Sequence, residues 1–133
     1  MTSLQRAVLM KKVRRRDTAP EIAVRRYLHA RGLRFRLHVR DLPGTPDIVL
    51  PRYRTIVFVH GCFWHGHDCR HGSVQARTNV EFWRRKIEDN RARDLRKTRA
   101  LADLGWRVET IWECQVESAE ILNALILHIR AAF

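Results

Sequence analysis

Pro46-Asp47-Ile48-Val49-Leu50-Pro51-Arg52-Tyr53-Arg54-Thr55-Ile56-Val57-Phe58-Val59-His60 is the stretch that decides the fold. It holds two short apolar runs, Ile48 to Leu50 and Thr55 to Val59, rich in β-branched residues and split by Pro51 and Tyr53-Arg54. Runs of this length bounded by turn residues read as strands, and with no polar alternation they read as strands buried on both faces. A strand covered on both sides needs helices on both sides, so the chain is expected to be an α/β layer protein. Polar chemistry appears only at the strand mouths, Asp47 at the start of one and His60 at the end of the next.

Upstream, Phe35, Leu37 and Val39 alternate with Arg34, Arg36 and His38, the period of a half-buried strand. Leu42-Pro43-Gly44-Thr45 is a turn. Before that, Thr18-Ala19-Pro20-Glu21 reads as a helix start, with Thr18 as cap, Pro20 in the first turn and Glu21 completing a capping box. This helix should bury Ala23, Val24, Tyr27 and Leu28 and stop at Gly32. Glu21 thus has a structural explanation by itself. Downstream, Thr78-Asn79-Val80-Glu81 opens a helical stretch to Leu104, with a candidate break at Asp89-Asn90, and Gly105 ends it. Trp106 to Trp112 reads as a fourth strand, with Cys114 just past its end. Ile121, Leu122, Leu125, Ile126 and Ile129 mark a last packing helix within residues 115–133.

The chain has 133 residues, a single domain's worth, and 45% of them are apolar, enough for one core. It carries 26 Lys+Arg against 14 Asp+Glu, a net charge of +12, which attracts polyanions and makes nucleic acid the leading partner. An anionic membrane surface is the rival, disfavoured because no long helix pairs a basic face with a broad apolar one. No stretch has the length of a signal peptide core or a membrane span, so a cytoplasmic protein is expected. Residues 1–16 form a basic arm in which Arg14, Arg15 and Arg16 suit phosphate contacts, unless they are simply solvated.

His60-Gly61-Cys62-Phe63-Trp64-His65-Gly66-His67-Asp68-Cys69-Arg70-His71 concentrates thiols, imidazoles and aromatics beyond any packing need. Three cysteines in a reducing compartment favour metal ligation over bridges. Cys62, His67, Cys69 and the remote Cys114 would close a tetrahedral zinc site, with His60, His65 and His71 as rival ligands. Asp47 facing a basic groove is explained by a divalent cation shared with a phosphate, or else by a turn cap. Many metal-dependent nucleases follow such an aspartate with a strand ending in Asp/Glu-x-Lys. Here Phe58-Val59-His60 supplies neither. Phe63 and Trp64, with Trp83, Lys86 and Asn90 at helical spacing, suit a surface that enters a DNA groove.

Taken jointly, Arg16-Asp17-Thr18-Ala19 with Glu21, Leu42-Pro43-Gly44-x-Pro46-Asp47, His60-Gly61-Cys62-Phe63-Trp64-His65, Glu81-Phe82-Trp83 with Lys86-Ile87, and Gly105-Trp106-Arg107-Val108 with Trp112-Glu113-Cys114 resemble the very-short-patch-repair (Vsr) DNA mismatch endonucleases. The resemblance runs from about Arg15 to Glu113. It implies a restriction-endonuclease-like three-layer fold, a mixed sheet of about four strands flanked by helices, and a structural Zn2+ on Cys62, His67, Cys69 and Cys114. It implies a catalytic Mg2+ on Asp47 and the main-chain carbonyl of Val59, with His65 as base and His60 and Glu21 assisting. Phe63, Trp64 and Trp83 would wedge into the duplex at a T:G mismatch, and one strand would be nicked 5′ of the mispaired thymine to start repair of deaminated 5-methylcytosine. The implied protein acts as a monomer, with mismatch-repair proteins as further candidate partners. Val59 stands where some members have threonine, and Gly66 and Asp68 where histidine is frequent. Two rivals are a zinc-stapled DNA-binding module without catalysis and a Vsr-like nuclease of a restriction or mobile-element system with another specificity.

Overall fold

The computed structural model describes residues 18–62 and 80–131. The chain runs α1 (Ala19–Ala30), β1 (Arg36–Leu37), β2 (Ile48–Leu50), β3 (Thr55–His60), α2 (Val80–Asp103), β4 (Arg107–Trp112) and α3 (Ala119–Arg130). The sheet order is β1-β2-β3-β4. β1 and β2 pair antiparallel, β2 and β3 antiparallel, and β3 and β4 parallel, so the sheet is mixed. The parallel pair needs a crossover, and α2 supplies it.

Both apolar runs divide by side-chain parity. Ile48, Leu50 and Val57 pack with Ile111 of β4, with Val24 and Leu28 of α1, and with Leu122, Leu125, Ile126 and Ile129 of α3. Val49, Ile56 and Phe58 pack against Leu101 of α2 on the other face. Each such side chain contributes about 1.5–3 kcal/mol by leaving water. The three-layer expectation therefore holds: one face carries two helices, the other the long one.

The local signals act largely as read. Thr18 caps α1 by accepting from Glu21 N at 3.3 Å, and Gly32 closes it at φ 81°. Ser118 caps α3 through Ile121 N at 3.3 Å. Three expectations need correction. α2 is continuous through Asp89-Asn90; no residue there is a strong breaker. The strand expected over residues 34–39 shrinks to two exposed residues, with Leu37 39% exposed. The alternation stops because His38 enters the left-handed region at φ 48°, which turns the backbone out of the pleat. Finally, the Glu21 carboxylate does not serve its own helix cap; it pairs with Arg25 and His38.

Candidate functional site

The polar residues of the strand mouths gather at one end of the sheet. Ile48 is opposite Val57, so Asp47 falls one step beyond, at the C-terminal end of β3. Its Oδ2 accepts the Val59 N–H at 3.1 Å. The carboxylate is mostly buried, and burial pushes its pKa up to about 6; Glu21 nearby adds to the rise, while the Val59 N–H and the charges of His38 and Lys97 oppose it. An ionised carboxylate held in such a place is short of positive charge, which is the condition a divalent cation relieves.

α1 brings Glu21 to the same place. Its carboxylate is buried, bonded to Arg25 one turn on and 3.1 Å from His38 Nε2. The backbone N–H of His38 donates to Asp47 O at 3.2 Å, which ties the turn after β1 to the mouth of β2. Donor atoms of Glu21, His38 and Asp47 all lie within 4.8 Å of one another. Two carboxylates and an imidazole at that spacing fit a divalent ion. Sequence reasoning named Glu21 and Asp47 but assigned His38 to the solvent face of a strand. The positive φ that brings His38 inward leaves no mark in the periodicity.

Val59, the chain neighbour of His60, meets Asp47 through the main chain, and the imidazole Nδ1 of His60 lies 4.0 Å from Asp94 Oδ2 on α2. The ring is set edge-on against Trp112 at 5.2 Å and leans on Phe58 at 5.6 Å. Asp94 was missed. It belongs to a stripe, Trp83, Ile87, Asn90, Asp94, Lys97 and Leu101, that recurs at intervals of four and three and is less exposed than its neighbours. An inward stripe that turns polar at Asn90, Asp94 and Lys97 is the signal that could have found it. Lys97 passes over Gly44, where a Cβ would meet its side chain at 2.5 Å and φ is +77°, so both space and backbone demand glycine. A lysine in the field of Asp47 thus comes from the helix, not from the strand.

The same stripe divides the expected DNA-facing trio. Trp83 and Asn90 are half-buried on it, whereas Lys86 is exposed, its Nζ 5.7 Å from the Phe82 ring. Phe82 is the open aromatic, 53% exposed and T-packed on Trp83 at 5.3 Å. Arg84, Arg85, Arg91, Arg93, Arg96 and Arg99 of α2 are also exposed, so the helix presents a basic surface.

At the other side of the strand ends, the β3–β4 register pairs His60 with Trp112. Cys62 and Cys114 each follow that pair by two residues, and Cys62 N donates to Glu113 Oε1 at 3.3 Å between the two segments. Cys62 is buried and Cys114 exposed. Phe63, Trp64, His65, His67, Cys69 and Arg14, Arg15 and Arg16 lie outside the described residues. No helix among the described residues is long and apolar enough to cross a membrane.

The family model described as DNA mismatch endonuclease Vsr matches residues 1–71. The type II nicking enzyme V.XorIIP of Xanthomonas oryzae pv. oryzae (strain KACC10331 / KXO85) is 53% identical over 125 residues, covering 94% of this chain and 91% of that protein. The type II nicking enzyme V.NmeAIP of Neisseria meningitidis serogroup A / serotype 4A (strain DSM 15465 / Z2491) is 38% identical, covering 98% of this chain and 96% of its own. The DNA mismatch endonuclease Vsr of Escherichia coli (strain K12) is 45% identical over 114 residues, covering 86% of this chain and 72% of its own. With a family-model match over more than half the chain and a relative of that name 45% identical, the protein belongs to the DNA mismatch endonuclease Vsr family.

Proposed function

We propose that the protein is a DNA nicking endonuclease of restriction-endonuclease-like fold, which uses Mg2+ at Asp47 and cuts 5′ of the thymine in a T:G mismatch. The observation that carries the reading is the Asp47 carboxylate, lodged against the Val59 amide within the three-residue donor cluster. A DNA-binding module has no use for a second and a third negative or lone-pair donor facing phosphate. When bound, the cation would polarise the scissile phosphate and offset charge as the phosphodiester is attacked. Asp47, Glu21 and the main chain of Val59 would hold it.

The remaining work falls to protein groups. His65 would take the proton from the attacking water, and His60 would assist, its ring set against Phe58 and Trp112 and its Nδ1 4.0 Å from Asp94 Oδ2. Asp94 is then a positioning residue. Asp94→Asn should lower the nicking rate by about tenfold and shift the acid limb of its pH profile, leaving DNA affinity unchanged. An unshifted profile would make the contact purely structural.

Cys62 and Cys114, each two residues past the paired ends of β3 and β4, would hold a structural Zn2+ with His67 and Cys69. That clamp would aim Phe63 and Trp64, beside Trp83 and Phe82, at the base stack. Arg14, Arg15 and Arg16, Lys86, Asn90 and the exposed arginines of α2 would contact the backbone and groove. Unstacking costs a few kcal/mol per step, and a mismatched pair resists it less.

The test is nicking of an oligonucleotide duplex with and without one T:G pair, in Mg2+, across a set of flanking sequences. A difference of only about 1.4 kcal/mol in opening the pair yields tenfold selectivity, so at least that preference for the mismatch is expected. Equal cutting of matched duplex at one fixed sequence would favour a second reading: a nicking enzyme attached to a restriction system. The type II nicking enzymes among the relatives are what support that alternative.

A further inference from the structure

Arg25 occupies an unusual place. Glu21 Oε1 and His38 Nε2 stand 3.1 Å apart, and both meet the same Arg25 nitrogen, Nη2, which lies 3.0 Å from His38 and forms an ion pair with Glu21. A guanidinium has donors and no acceptor. In the neutral tautomer with its ring proton on Nδ1, the imidazole nitrogen facing it presents its lone pair. Glu21 and His38 are then two acceptors aimed at one cation. That is how protein ligands converge on a metal, with a guanidinium in the metal's position. The Asp47 carboxylate completes the set within 4.8 Å. His38 reaches it only by taking φ 48°, a conformation costing a non-glycine residue on the order of 1 kcal/mol or more and found chiefly at working sites.

We propose that His38 is a ligand, with Asp47 and Glu21, of the divalent cation in this site, and that Arg25 guards the site by holding Glu21 and His38 until they turn to the cation. This rests on the nicking reading above and extends it to the choice of metal. One imidazole among carboxylates tilts a site away from Mg2+ and towards first-row transition ions. The site is therefore built to take Mn2+ more tightly than Mg2+.

The experiment uses the full chain without DNA and Mn2+ as the probe, because thiolates bind this ion poorly and report little of it. Electron spin-echo envelope modulation of the bound Mn2+ should show one directly coordinated imidazole nitrogen, lost in His38→Asn; asparagine is chosen because it accepts a positive φ. Titration should show Mn2+ binding weakened by about tenfold or more in that variant, with a smaller loss for Mg2+. Arg25→Gln should bind Mn2+ severalfold more tightly. A wild-type spectrum without nitrogen coupling overturns the proposal, even if His38→Asn fails to fold. So does a coupling that survives in His38→Asn, or weaker binding in Arg25→Gln. Nicking of DNA is measured in parallel: nicking without the nitrogen signal removes only the His38 ligand, whereas the signal without nicking removes the proposed function.

Discussion

Asp47→Asn is expected to abolish nicking and, in metal-free buffer near pH 7, to raise the melting temperature. The two effects share one cause. Burial lifts the Asp47 pKa from 3.8 to about 6. In the unfolded chain the group returns to its ordinary value, so the native state binds this proton more tightly than the unfolded state. The sign follows: this group's contribution to stability is most favourable at low pH, falls as pH rises from about 4 to 6, and stays low above that. Moving a carboxyl from 3.8 to about 6 corresponds to roughly 3 kcal/mol, an upper bound on what the ionised side chain costs at pH 7. Asparagine keeps an oxygen for the Val59 N–H and carries no charge. A gain of roughly 5–10 °C is therefore expected for a chain of this size.

Catalysis moves the other way. Under the proposed function, removing the negative charge would remove the main ligand of the cation, and with it several kcal/mol of transition-state stabilisation, about a thousandfold in rate or more. Thermal melts in chelator and in Mg2+, alongside nicking assays, check both halves. Added Mg2+ should stabilise the wild type by mass action and leave the variant unmoved. A variant that nicks at the normal rate would remove Asp47 from the site. A variant that melts lower would mean that the carboxylate is satisfied in the native state by groups beyond those described.

The second large effect is expected from Cys114→Ser. Thiolates on adjacent strand ends are natural zinc ligands, and the sequence provides His67 and Cys69 between them. Structural zinc sites in small modules carry about 10–16 kcal/mol of apparent binding energy. Here the sheet has its own core on both faces, so the loss should fall on the segment between Cys62 and Val80 and not on the fold as a whole. Elemental analysis should find one zinc per wild-type chain and none in the variant. Proteolysis should become fast between Cys62 and Val80, and DNA affinity should fall by on the order of tenfold or more. A zinc content unchanged by Cys114→Ser would remove this residue from the ligand set and leave the stapling of the loop to β4 without support.

The layer arrangement was legible because the two apolar runs leave no exposed face. Burial on both sides of Ile48 to Leu50 and of Thr55 to Phe58 requires cover on both sides, and α1, α3 and α2 provide it. A helix end was legible where a side chain satisfies an orphan backbone donor, as Thr18 does. Glu21 shows where such logic runs out: a capping box and a buried ion pair use the same residue type at the same spacing, and only the neighbours across space decide between them. Trp83, Lys86 and Asn90 differ in exposure for a related reason. Positions three and seven apart share a broad arc of the helix, and the sheet chose an edge of that arc that takes Asn90 and excludes Lys86.

The order of residues along the chain was enough to settle the class of fold and the family, because burial pattern and motif spacing are properties of the chain itself. Which groups surround Asp47 was decided in three dimensions. Lys97 comes from a helix far along the chain, and Glu21 and His38 come from an adjacent helix and a left-handed turn. A carboxylate's charge state and its ligand partners depend on distances of a few ångströms, and those exist only after residues remote in sequence have packed together.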